Sequence, residues 1–250
     1  MLRDKKLEDN GLNIENWDTP IYRVYSRKWF EDLLNKKNGL VHPSLWDDPL
    51  ENFFLQCEVR DESDNSLGSL HEISKNWYGQ CWTKNRDSDA IWRIYNEQKN
   101  GVLVVTTIKK LFENFYDRSD PSAYLKYFIG EVQYQERIEI ETFLAKTSFT
   151  DLALGGQSKP FAHTLCIKRK AFNHENEVRL LFHDTDETKG INNVASFHFD
   201  LNAILSEVVL DPRLLPHEYE AAEQEIRNLG CTLKISQSDL YKINPVIIRL

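Results

Sequence analysis

Two carboxylates, Glu175 and Glu177, open a run of strand formers, Val178-Arg179-Leu180-Leu181-Phe182. Side chains at i and i+2 of a strand point to one side. Held in a cleft, such a pair can hydrogen-bond sugar hydroxyls, stabilise a developing cation or ligate a metal. The plainer alternative is a solvated strand face whose carboxylates pair with Arg179 or Lys168. Arg23, set between Tyr22 and Val24 on a first run of strand formers, must offset its desolvation with an anion. That anion is either a ligand phosphate or a protein carboxylate. Trp82-Thr83 at a strand end offers an aromatic wall and a hydroxyl, against the reading of a tryptophan packed in the core. Trp92 and Tyr95, at i and i+3, read as core aromatics. Lys168-Arg169-Lys170, with Lys159, His163 and Arg179, is the one basic cluster; it either guides a phosphate-bearing ligand or forms a solvated hairpin.

Other chemistries lack their signatures. His42, His163, His174, His183 and His198 form no zinc-binding pattern, and no metal is expected. There is no G-x-S-x-G, P-loop or dinucleotide-binding glycine pattern. The four cysteines include no C-x-x-C pair, which argues against a zinc site or disulfide framework and suits a reducing cytoplasm. The opening MLRDKKLEDNGLNIEN has no apolar core, and the most apolar stretch, 101–108, is too short to span a bilayer, so no membrane association is expected. A net charge of −8 disfavours a surface that is basic throughout, though not a local basic groove.

The elements that must position these residues follow from hydrophobic period and punctuation. Residues 1–19 read as a polar N-terminal tail, and 20–250 as a single domain with a helical insertion around 109–155. Strand formers at 21–25 precede a helix opened by Ser26, bearing Trp29, Phe30, Leu33 and Leu34 on one face and stopped by Gly39. Residues 40–49 form a loop. Strands are expected at 77–83, 102–108, 129–134, 163–167, 178–183, 197–201 and 208–210, with a last one at 232–235. Helices are expected after the Ser88 cap and at 111–128, 136–152 and 219–228. The order lacks regular βαβ alternation, so the fold class is α+β, a mixed and mostly antiparallel sheet core with flanking helices.

Taken in order, the motifs resemble a large bacterial family known mainly as a domain of unknown function. Its Y-R-Y strand reads Tyr22-Arg23-Val24-Tyr25 here, and its F-N-D-P-F-E loop reads Trp46-Asp47-Asp48-Pro49-Leu50-Glu51. C-F-S reads Cys81-Trp82-Thr83, and M-W-x-x-Y with a downstream glycine reads Ile91-Trp92-Arg93-Ile94-Tyr95 with Gly101. K-x-x-x-W-x-x-E-x-E-x-R is met by Lys168, Phe172, Glu175, Glu177 and Arg179. The series of Arg on a first strand, hydroxyl at the end of a middle strand and E-x-E opening a late strand is also similar to the arrangement in ADP-ribosyltransferases.

That second resemblance implies an ADP-ribosyltransferase-like fold and a toxin or anti-phage effector that uses NAD as substrate. It implies Glu177 as the catalytic carboxylate and Glu175 orienting the acceptor. Arg23 would contact phosphate, Thr83 the nicotinamide-side ribose, and Trp82 or Tyr95 would wall the nicotinamide. Lys168, Arg179 and Trp92 would meet the substrate. The implied partners are a nucleic-acid or protein acceptor and a cognate antitoxin or defence-system partner. Two competing readings are a nuclease holding Mg²⁺ on Glu175, Glu177 and Asp47 or Asp48, and a non-catalytic nucleotide- or protein-binding module.

Overall fold

The computed structural model describes residues 5–46, 58–60, 67–69, 75–146 and 158–243. Asp47 to Glu51, read as part of a family loop, lie outside the described residues, as does Cys57. The strands are β1 (Gly11–Leu12), β2 (Pro20–Tyr25), β3 (Lys37–Val41), β4 (Glu58–Arg60), β5 (Leu67–Ser69), β6 (Trp77–Thr83), β7 (Val102–Thr107) and β8 (Tyr127–Glu131). They continue with β9 (Gln133–Gln135), β10 (Ile167–Arg169), β11 (Glu177–His183), β12 (Gly190–Ile191), β13 (Val194–His198), β14 (Glu207–Leu210) and β15 (Lys234–Gln237). The helices are α1 (Lys5–Glu8), α2 (Arg27–Leu34), α3 (Asp89–Tyr95), α4 (Ile108–Phe115), α5 (Ala123–Lys126), α6 (Arg137–Lys146), α7 (Ser158–Thr164), α8 (Leu201–Ile204) and α9 (Pro216–Asn228).

Strands of one large sheet run in the order β1-β8-β11-β6-β2-β7-β14-β15, with β3 joining β6 to a β12–β13 hairpin. Only β1–β8 and β14–β15 pair in parallel within it, so the sheet is mixed and mostly antiparallel, and the class is α+β. Two small sheets, β9–β10 and β4–β5, stand apart from it. β6 is shared at its two ends by different neighbours. Its Gly79 pairs with Val41 of β3, while its Thr83 pairs with Tyr22 of β2. On the other side β11 runs the full length of β6, matching Glu177 with Thr83 and Arg179 with Cys81. The sheet therefore forks on one side of β6, and Arg23, Thr83 and Glu177 reach the same end of three neighbouring strands.

Apolar side chains explain this order. β7 and β11 are buried nearly end to end, as runs of Val, Leu and Phe require when both faces are covered. The main core gathers Ile21, Phe30, Val104, Phe112, Leu180 and Phe182. Ser88 caps α3 by accepting from the Ile91 amide, as expected from sequence. Gly101 lies against the Tyr25 carbonyl, and its amide donates to Asn96 Oδ1 at 2.8 Å; a Cβ there would come within 2.5 Å of that carbonyl.

Several local expectations are corrected. Residues read as a polar tail contribute β1 to the sheet: Gly11 and Leu12 pair with Ile129 and Gly130 of β8, and Leu12, 0 % exposed, packs among Trp77, Phe128 and Phe161. Gly39 lies inside β3; α2 stops at Leu34 and the reversal is made by Lys36 at φ 62°. The helix expected at 111–128 is broken: α4 ends at Phe115, α5 spans only Ala123–Lys126, and β8 begins at Tyr127. Residues 163–167 are not a strand: His163 and Thr164 end α7, and β10 begins at Ile167. No helix among the described residues is long and apolar enough to cross a membrane.

Candidate functional site

At the fork, Tyr22, Arg23, Val24, Cys81, Trp82, Thr83, Ile91, Tyr95, Glu175 and Glu177 line one cleft of about 100 Å³. Six of these, Arg23, Trp82, Thr83, Tyr95, Glu175 and Glu177, are residues singled out from the sequence. Glu177 enters as the first residue of β11, 4 % exposed. Glu175 arrives differently from the expected strand alternation. It ends a 3-10 turn, Lys170–Glu175, and Asn176 reverses the chain at φ 48°, a conformation asparagine tolerates. The turn is clamped from β6: the Lys84 amide donates to the Asn176 carbonyl at 2.9 Å, and Thr83 Oγ1 donates to the Glu175 carbonyl at 2.6 Å. Thr83 Oγ1 also accepts from the Asn85 amide at 3.0 Å, so its hydroxyl serves the loop that carries Glu175.

The two carboxylates converge on Lys168, 7 % exposed, whose Nζ donates to Glu175 Oε2 and to Glu177 Oε1, each at 2.5 Å. Arg179 Nε donates to Glu177 Oε2 at 2.8 Å. Arg179 is 0 % exposed; its Nη1 donates to the Leu165 carbonyl and its guanidinium lies 4.5 Å from the Trp46 ring centre. Trp46 in turn lies over Gly79, where a Cβ would come within 2.6 Å of its ring. Lys168 and Arg179, expected to meet substrate, are thus buried behind the carboxylates and hold them. Trp92, also expected at the substrate, is fully buried with Tyr22, Leu103, Val105 and Val209, and does not line the cleft. Its ring spaces α3 from β2 and β7, so that Tyr95, one turn on, reaches the cleft.

The pair titrates unequally. Burial and the hydrogen bond to Glu177 raise the Glu175 carboxyl to about 7, against the pull of Lys168. Burial also disfavours charge on Glu177, but the Arg179 guanidinium, the Glu175 hydrogen bond and the Lys168 ammonium outweigh it and hold that carboxyl well below the usual range. One carboxylate is therefore permanently ionised and the other is poised to exchange a proton near neutrality.

Arg23 occupies the fork itself. Its Nη1 donates to the Cys81 carbonyl, its guanidinium lies 5.1 Å from the Tyr25 ring centre, and its buried Nε has no hydrogen-bond partner. With Arg23, Lys168 and Arg179 set against one full and one half-neutralised carboxylate, the cleft is locally positive in an acidic protein.

One contributor escaped the sequence reading. The Tyr134 hydroxyl on β9 accepts the Glu177 amide at 2.8 Å, securing the first residue of β11. No motif marks it: β9 follows β8, the partner of β11, after Val132, whose amide donates to the Glu177 carbonyl at 3.0 Å, and that proximity is set by strand pairing alone. Among the described residues, no group of three or more His, Cys, Asp or Glu is placed to hold a metal ion. Lys168 fills the position between the two carboxylates, and the two aspartates of the nuclease reading lie outside the described residues.

Fold and cleft together define a mixed α+β protein with an asymmetric carboxylate pair at a forked sheet end. Residues 91–180 match the family model described as a protein of unknown function, DUF2971, so the resemblance to such a family read from the motifs holds over that stretch. It includes Trp92, Tyr95, Gly101, Lys168, Glu175, Glu177 and Arg179, whereas Arg23 and Thr83 precede it. No curated protein matches the chain. Among solved structures, the chain is similar to Thermus sp. 2.9 DarT in complex with NAD+, at 11 % identity and a TM-score of 0.40, covering 90 % of this chain and 98 % of that one. The same protein in complex with ADP-ribosylated ssDNA matches at 10 % identity and 0.40, over 88 % and 94 % of the two chains. At those values the likeness carries no argument about activity, which rests on the cleft.

Proposed function

We propose that the chain is an ADP-ribosyltransferase-like enzyme, of the toxin or anti-phage effector kind, that cleaves the nicotinamide–ribose bond of NAD and passes ADP-ribose to a nucleic-acid or protein acceptor. The observation that carries this reading is the meeting of Arg23, Trp82, Thr83, Tyr95, Glu175 and Glu177, far apart in sequence, in one cleft. The residue types suit the chemistry. Glycosidic cleavage develops positive charge on the ribose, which a fixed carboxylate stabilises. Glu177 is ionised and immobile, and each of its oxygens, though bonded to a cation, keeps a lone pair for a ribose hydroxyl.

The bond to nicotinamide breaks with its electron pair leaving on the ring nitrogen, so nicotinamide departs neutral. The acceptor then bonds to the same ribose carbon, and its proton passes to the ionised fraction of Glu175. Arg23, whose guanidinium lines the cleft and brings positive charge to it, is suited to the pyrophosphate. The cleft of about 100 Å³ takes one ring-sized group, far below the roughly 300–1,000 Å³ of pockets that enclose a whole drug-sized ligand. In this reading the nicotinamide end enters beside the half-exposed Tyr95, since the Trp82 ring is packed in the main core with its indole N–H donating to Gln80, and the rest of the dinucleotide lies along the mouth.

The test is nicotinamide release from NAD, followed with bacterial lysate or nucleic acid present and absent. Wild-type protein is expected to release it and Glu177→Gln to lose that turnover. Glu175→Gln is expected to retain slow release while losing transfer to a macromolecule. Unchanged turnover in folded Glu177→Gln would refute the assignment.

A further inference from the structure

A cavity of about 690 Å³ is separate from the carboxylate cleft. It lies between the α1–β1 junction, the loop from Tyr116 to Pro121, α5 and the start of α7, and Ser158 and Lys159 line it with Tyr116, Arg118 and Tyr124. Ser158 Oγ stands 2.8 Å from His183 Nδ1. His183 is the last residue of β11, whereas Glu177 is the first, which puts the two regions roughly 20 Å apart at about 3.3 Å per residue.

The His183 ring stacks on Trp77 with centres 4.6 Å apart and planes within 5°, and burial holds its pKa down to about 4, so the imidazole is neutral at pH 7. With its proton on Nε2, a neutral imidazole accepts the Ser158 hydroxyl at Nδ1. A serine hydroxyl donating to an imidazole is the contact that activates a serine nucleophile.

We propose that Ser158 and His183 form a second reactive site, independent of the carboxylate cleft, that hydrolyses small carboxylic esters bound in the 690 Å³ cavity. Ser158 Oγ attacks the ester carbonyl as its proton moves to His183 Nδ1. The carbon–oxygen bond to the alcohol breaks and the alcohol leaves with that proton. Water then adds to the acyl-serine through the same nitrogen, releasing the acid and restoring the hydroxyl. Tyr116 and Tyr124 give the cavity aromatic walls, and Arg118 and Lys159 supply positive charge for the developing oxyanion or an acidic substituent. Asp120, also lining it, is neutralised by Lys126 at 2.8 Å, which leaves Asp9 as the other lining carboxylate.

A fluorophosphonate probe and p-nitrophenyl acetate test this on the full chain. Wild-type protein is expected to take up one phosphonate, which peptide mass spectrometry places on Ser158. Labelling should vanish in Ser158→Ala and slow at least tenfold in His183→Gln, while Glu177→Gln labels at the wild-type rate. Ester hydrolysis should fall in parallel. Thermal melts establish that each variant is folded; Ser158→Cys, alkylated by iodoacetamide faster than free cysteine, gives a second readout should His183→Gln unfold. Absence of label on wild-type Ser158, or equal labelling in folded His183→Gln, would overturn the proposal and leave Ser158 as a hydrogen-bond partner of a buried ring.

Discussion

Replacing Glu177 by glutamine removes the one charge that Lys168 and Arg179 share, without changing the side chain's shape. Both cations are buried, at 7 % and 0 % exposure, and both donate to this carboxylate at 2.5 and 2.8 Å. Breaking a buried ion pair by removing one partner costs about 3–5 kcal/mol, because the remaining charge is left uncompensated. Two features place the loss at the lower end. Lys168 keeps Glu175, which is free to ionise once Glu177 is neutral, and Arg179 keeps the Leu165 carbonyl and the Trp46 ring. A loss of about 3 kcal/mol, at about 2–4 °C per kcal/mol for a chain of this size, lowers Tm by roughly 6–12 °C. Glu175→Gln exchanges a half-protonated carboxyl for a neutral amide and should cost only about 0.5–1.5 kcal/mol. Urea denaturation of the three proteins at pH 7, with activity normalised to the folded fraction, measures the difference. A Glu177→Gln loss no larger than that of Glu175→Gln would refute the assignment of the permanent charge.

The same pair sets a pH dependence. Glu175 carries a folded pKa raised from 4.5 to about 7, so its contribution is fully present below 4.5 and disappears as pH rises to about 7. Stability should therefore carry a component that declines between those values, absent from Glu175→Gln, with denaturation midpoints across that range as the check. Glu177 has the opposite sign, since its depressed carboxyl withdraws stability only as pH falls below the ordinary carboxylate range. Arg23→Lys should raise the KM for NAD on the order of tenfold with little change in kcat, the loss of one charge-assisted hydrogen bond; steady-state nicotinamide release measures it. Leu12→Ala should cost about 2–5 kcal/mol by denaturation if β1 is docked, and almost nothing if the first residues were a free tail.

Much of the frame was legible locally. The β-branched and aromatic runs at 20–25, 77–83, 102–107 and 177–183 became strands close to the expected limits, because each is buried and little else suits such runs. Ser88 opened α3 through its own side chain, a contact three residues long. Short elements at the periphery were misread for the same reason in reverse. Residues 163–167 hold strand-forming Thr, Cys and Ile, yet His163 and Thr164 end α7, where Phe161, Ala162 and Thr164 pack inward. Gly39 was read as a helix stop, but pairing with Ser196 draws it into β3.

The chemistry divides along a similar line. Residue types alone determined which groups were candidates: an arginine on an inner strand, a hydroxyl at a strand end and two acids beside a basic run. Their order in the chain, together with the resemblance, suggested that Arg23, Thr83 and Glu177 belong together. Only the tertiary structure decided who faces whom. The fork of β6 brings Arg23 and Glu177 to one cleft, burial behind Trp46 makes Arg179 a support, and the turn at Asn176 delivers Glu175 to Lys168. Those outcomes depend on distances and dielectric between segments remote in sequence. Charge assignment follows from them, since a carboxylate's protonation is set by its neighbours in space and not along the chain.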